Sequence, residues 1–183
     1  LEKHENHLKQ NKSLKEKNLN EEIETIKKEL QFLKITPDYR DQLNLSENLK
    51  NLSKQLSLVR VENIKKDKNK NIIKERQIGK IKIRDQLLKD FPPKELRAII
   101  DQGKKEIKSG IIICISTFED KVGVAVGVSK DLTSKYDAVN LVKIASETLG
   151  GKGGGGRKDF AQAGGVNKDK VEKAFNEISK TIN

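Results

Sequence analysis

Methionine and tryptophan are absent from this chain, cysteine occurs once and proline three times. A lone cysteine excludes a disulfide framework. Cys114 stands inside the apolar run Ile111-Ile112-Ile113-Cys114-Ile115, where it reads as a small buried hydrophobe rather than a reactive thiol. Without methionine, Leu1 is not an untouched translation start, and the chain reads as a piece of a longer protein. No signal-peptide pattern and no apolar stretch of spanning length occur, so no membrane partner is expected and the location implied is cytoplasmic. There is no His and Cys cluster at metal-ligand spacing, no pair of catalytic carboxylates and no ATP-binding motif, so catalysis has no visible centre. Hydrophobic residues make up only 34% of the 183 positions and charged residues 36%, which fits a globular part joined to exposed helices.

What is plentiful is positive charge. The formal net charge of +11 favours an acidic partner such as nucleic acid, with simple solubility as the alternative. Up to about Lys34 there is no proline or glycine, and Leu19, Ile23, Ile26, Leu30 and Leu33 step by four and three, the spacing of one apolar seam. The residues before it keep helix formers but lose the seam. His4 and His7 share a helical face there, yet no further ligand accompanies them and they read as surface residues. Pro37 is expected to end the helix. Leu45, Leu49, Leu52, Leu56 and Val59 repeat the spacing, so residues 1–66 are expected to form an antiparallel, coiled-coil-like helical hairpin. The same pattern would equally serve pairing with another protomer.

Residues 67–183 are expected to form a globular α/β domain, so the fold class is α+β/α/β with a short mixed sheet and flanking helices. The window Lys65–Arg84 is the most basic. Its end alternates, with Ile78, Lys80, Lys82 and Arg84 on one face of an expected strand, read either as a solvated face or as a phosphate-facing rim. A helix follows Phe91-Pro92-Pro93, then a buried strand over 111–117 and a second hairpin arm in which Val122, Val124, Val126 and Val128 alternate with small residues. Helices are expected over about 137–149 and 168–182.

Between these last helices lies Gly150-Gly151-Lys152-Gly153-Gly154-Gly155-Gly156-Arg157-Lys158-Asp159-Phe160-Ala161-Gln162-Ala163-Gly164-Gly165, which holds eight of the thirteen glycines. Such density points to a loop, 150–165, whose backbone reaches positive φ or comes very close to a ligand, and its cations point to an anionic one, with a glycine-rich flexible linker as the alternative. The formal G-x-G-x-x-G match follows a helix rather than a strand, and the P-loop spacing puts Ser146 where its first glycine belongs; neither nucleotide site fits.

The stretch 150–165, with Gly123-Val124-Ala125-Val126-Gly127-Val128-Ser129-Lys130-Asp131-Leu132 upstream, resembles the C-terminal domain of the alanyl-tRNA synthetases. The resemblance covers essentially the whole chain. Related domains end DHH-type phosphoesterases and free-standing editing proteins, but the long hairpin favours the synthetases. Family members often carry proline directly after the arginine, and here stands Lys158. The resemblance implies a noncatalytic module that binds the outer corner of tRNA and supports oligomerisation, as a homodimer for example, while assisting alanylation and editing by upstream domains of the same polypeptide. Those domains would use ATP, magnesium and zinc; this stretch would need no cofactor. By this reading the RNA-binding residues are Lys152, Gly153, Gly154, Gly155, Gly156, Arg157, Lys158 and Gln162, with Lys80, Lys82 and Arg84 as a rim. Phe160 is read as core or as a stacking platform. Two alternatives stand beside it, the substrate-binding end of a DHH-type phosphoesterase and a purely structural dimerisation module.

Overall fold

A computed structural model describes residues 2–183; Leu1, where the expected hairpin begins, lies outside the described residues. The chain divides into two compact units between Arg60 and Val61. The expected boundary at Lys66 moves because Val61 and Ile64 already pack into the core of the second unit.

The first unit holds α1 (Glu2–Phe32) and most of α2 (Leu45–Lys66). Ile23, Leu30, Leu52 and Leu56 are buried together, with Ile26, Leu33, Leu45, Leu49 and Val59 partly buried against them. Leu19 is partly buried outside this cluster, and residues 3–18 are exposed, as the loss of the seam foretells. The helix α1 stops before Pro37 comes into play. Lys34 takes a φ of 60°, and the Ile35 amide donates to the Leu30 carbonyl at 2.9 Å, which is a Schellman cap with Ile35 and Leu30 in its apolar contact. A reciprocal capping box starts α2, with the Glu47 amide donating to Asn44 Oδ1 and the Asn44 amide to Glu47 Oε2.

The connection is not a tight turn. Gln55 bonds the backbone of Thr36 and Asp38, and the fully buried Asn48 bonds that of Arg40 and Leu43, so the connection runs back along α2 toward its first turn. Glu29 near the end of α1 meets Arg60 at 2.6 Å, far along α2. A tight antiparallel turn would set Glu29 beside the first turns of α2 instead.

The second unit is built on a six-stranded mixed sheet in the order β1-β2-β3-β4-β6-β5, where β1 is Asn71–Ile78, β2 Ile81–Lys89, β3 Ile111–Phe118, β4 Lys121–Val128, β5 Gly154–Arg157 and β6 Phe160–Gly165. Every pairing is antiparallel except β2 with β3, which the helix α3 (Leu96–Ile107) connects. The helices α4 (Ala138–Thr148) and α5 (Val171–Lys180) cover one face over Val122, Val124, Val126 and Val128. On the other face α3 and the end of α2 pack on Leu88, Ile112, Cys114, Ala125 and Phe160. The small residues of β4 now have a reason: a Cβ on Gly127 would lie 2.4 Å from Ile100 Cγ2, and one on Gly123 2.5 Å from Pro93 Cβ. Burial of both faces of β3 is as its continuous apolar run implies.

Two local expectations change. Residues 78–84 do not form one strand; Gly79, at φ 58°, turns the chain between β1 and β2. The glycine stretch is not a loop throughout, because pairing with β4 draws 160–165 into the sheet and 154–157 follows as its edge strand. Local glycine content disfavours a strand, and the sheet edge overrides it. Among the described residues no helix is long and apolar enough to cross a membrane.

Candidate functional site

The glycine-rich hairpin is anchored from beneath by α4. Asp137 caps that helix by accepting from the Val139 amide, and the Ala138 amide donates to the carbonyl of Lys158 at the hairpin tip. At the far end the buried Ser146 hydroxyl donates to the Gly164 carbonyl at 2.8 Å and accepts from the Gly153 amide at 3.3 Å. One hydroxyl therefore ties both ends of the hairpin to the helix. Leu149 adds its carbonyl as acceptor for the amides of Val166 and Asn167.

The glycines have different reasons to be glycine. A Cβ at Gly151 would lie 2.0 Å from the Gly164 carbonyl oxygen, one at Gly154 2.4 Å from the Ala163 methyl, and one at Gly156 2.3 Å from the Phe160 carbonyl oxygen. Gly153 needs its φ of 108°. Gly155 differs from all of these: its φ lies outside the left-handed region and nothing stands within 4 Å of an added Cβ. Neither packing nor backbone geometry within this chain requires glycine there.

Gln162 and Phe160 point to the α3 side, since Gln162 Nε2 donates to the Pro93 carbonyl at 2.7 Å and Phe160 is buried in the cluster under α3. Their cross-strand partners, Gly155 and Arg157, share that side. Gln162 thus holds the hairpin to the start of α3, and Phe160 serves as core. Lys152, Arg157 and Lys158 are exposed around the bare backbone of Gly153–Gly156. Arg157 Nε lies 3.5 Å from Asp159, whose other carboxylate oxygen is 3.5 Å from Lys104. Burial alone would raise the Asp159 carboxyl, but the charges of Lys104 and Arg157 outweigh it and hold the group below its usual range.

The expected rim does not join this site. Lys80 sits exposed in the β1–β2 turn and Lys82 exposed on β2. Four strand spacings, about 19 Å, separate β2 from β5. Arg84 is 9% exposed and donates to Glu75 at 2.7 and 2.9 Å and to Glu106, so its charge is spent inside the protein. Conversely, Arg97 and Lys104 were not singled out from the sequence. Their signal was present: Arg97, Asp101 and Lys104 step by four and three along the polar face of α3. Cys114 is fully buried and burial pushes its thiol up. Among the described residues no group of three or more His, Cys, Asp and Glu is placed to hold a metal.

Residues 85–183 match the family model of the DHHA1 domain. The alanine–tRNA ligase of Bradyrhizobium diazoefficiens is 44% identical over 108 residues, which are 58% of this chain and 12% of that protein. That of Rhodopseudomonas palustris is 46% identical over 108 residues, with the same coverage. The present chain therefore spans only 12% of the length of these curated relatives. Among solved structures, the C-Ala domain from Aquifex aeolicus alanyl-tRNA synthetase superposes with a TM-score of 0.55 at 31% identity, covering 58% of this chain and 96% of that one.

Proposed function

The chain belongs to the DHHA1 domain family, its C-terminal part being a domain of the alanyl-tRNA synthetase C-terminal type, and from that premise we propose that it binds tRNA through the β5–β6 hairpin. The observation that carries the reading is Gly155. A glycine that no internal contact and no backbone angle demands, on an exposed edge strand among three exposed cations, marks where something from outside approaches the backbone.

The chemistry suits the outer corner of tRNA. A stacked base pair there offers a flat surface, and closely spaced phosphates surround it, so shape and backbone contacts outweigh sequence reading. Bare peptide at Gly153–Gly156 lies flat against such a surface while Lys152, Arg157 and Lys158 neutralise phosphates. Lys158, at the position where the family often carries proline, keeps its carbonyl committed to α4, so its side chain adds charge while the tip stays anchored.

In this reading the module is noncatalytic and delivers tRNA to upstream domains of an ATP-dependent alanine–tRNA ligase, which would carry alanylation and editing along with their magnesium and zinc. The helices of the first unit contribute to oligomerisation. Gly155→Val tests the hairpin's role. Valine suits a strand, so the melting temperature should hold or rise, while its branched side chain fills the space a partner needs. Affinity for tRNA should fall at least tenfold, about 1.4 kcal/mol. Unchanged affinity in a stably folded Gly155→Val protein would overturn the assignment.

A further inference from the structure

The two sides of the glycine-rich hairpin are not equivalent. The helix α4 covers β4, β5 and β6 on one side, whereas α3 sits over β3 and β4 on the other. On the α3 side the exposed residues of β5 are Gly155 and Arg157. A shelf therefore lies beside α3, floored by bare backbone and bounded by the polar face of that helix.

The wall of this shelf carries charge. The guanidinium of Arg97 lies over the Phe160 ring at 4.9 Å from its centroid, and the side chain is 56% exposed. Contact with a buried ring favours that placement of the guanidinium, and its ion-pair neighbour Asp101, 3.7 Å away, is itself 52% exposed. Lys104 ties the hairpin tip to the helix, its Nζ donating to the Asp159 carbonyl at 2.6 Å. Arg157 stands at the tip itself, on the same side as Phe160. Arg97 and Arg157 thus frame Gly155 from α3 and from β5.

We infer that the RNA backbone lies along the α3 side of the hairpin, and that Arg97, held by Phe160, is a phosphate-contacting residue outside the glycine-rich stretch. The inference rests on the tRNA-binding reading above and adds the side of approach and a contact on a different element. A planar guanidinium suits phosphate oxygens bidentately, which a lysine at the same place does not. Exposed lysines on the helices covering the opposite side, such as Lys143 on α4 and Lys173 on α5, should make no such contact.

The test is tRNA affinity across a salt series for the unaltered chain and for its Arg97→Ala, Arg97→Lys, Lys143→Ala and Lys173→Ala variants. Loss of one phosphate contact flattens the slope of log affinity against log salt by about 0.7 to 1. The deficit of Arg97→Ala should therefore shrink about threefold between 50 and 200 mM salt. Arg97→Lys should retain the wild-type slope while binding more weakly, and the Lys143 and Lys173 variants should match the unaltered protein. Circular dichroism confirms that each variant is folded. If the unaltered chain binds tRNA but Arg97→Ala binds with equal affinity and slope, this inference fails and the hairpin reading stands. If Lys143→Ala or Lys173→Ala flattens the slope instead, the side of approach is wrong. Failure of the unaltered chain to bind tRNA overturns the functional reading and this inference with it.

Discussion

Arg84 separates a structural cation from an RNA-facing one. Arg84→Ala removes a guanidinium that is 9% exposed and donates to Glu75 and Glu106. Hydrogen bonds to charged groups are worth about 1.5–3 kcal/mol each when desolvated. Both carboxylates are well exposed, at 62% and 46%, so water recovers part of that loss and the net cost should be about 2 kcal/mol. For a unit of this size that is roughly 8 °C in melting temperature. Arg84 holds the Glu106 carboxyl below its usual range by hydrogen bonding, so its contribution is complete above about pH 4.3 and is lost as pH falls through the lowered value. The gap between wild type and variant should be flat from pH 6 to 8 and narrow below about pH 4. Melting followed by circular dichroism reads the stability, and anisotropy of labelled tRNA reads binding. Wild-type melting combined with a loss of tRNA affinity and a flatter salt slope would instead place Arg84 on the RNA.

Three further outcomes follow from the packing. Gly127→Ala drives a methyl to 2.4 Å from Ile100 Cγ2, and the overpacking should cost about 1–3 kcal/mol in chemical denaturation; an unchanged midpoint would contradict the close seating of α3. Asn48→Ala strips three hydrogen bonds from the connection between α1 and α2, so the amides of residues 40–43 should exchange faster with deuterium while those of the sheet do not change. Cys114, fully buried with its thiol pushed up, should resist alkylation at pH 8 until denaturant unfolds the sheet, and labelling of the folded protein would contradict its burial.

The sequence disclosed periodic features better than paired ones. The two seams were legible because apolar steps of four and three survive directly as burial in Ile23, Leu30, Leu52 and Leu56. The run Ile111–Ile115 announced a strand covered on both faces. Harder to read was β5, where four residues of low strand propensity become an edge strand only because β6 pairs with β4 across a long sequence interval. The fate of Arg84 was equally hidden, since alternation gives a face but not whether a helix covers it. The connection between α1 and α2 escaped because its course is set by Asn48 and Gln55 on α2, not by its own proline. At the site, the cations near the glycines were visible in order, whereas Arg97 joins them through the fold, which places its guanidinium over Phe160.

In the proposed function the β5–β6 hairpin holds tRNA by its backbone and its cations. That role is tested by the salt dependence of tRNA affinity for the unaltered chain and for Lys152→Ala/Arg157→Ala/Lys158→Ala combined. Three lost phosphate contacts should flatten the slope by about 2 to 3 while the melting temperature holds, since none of the three side chains is buried. An unchanged affinity and slope in that folded triple variant would contradict the account.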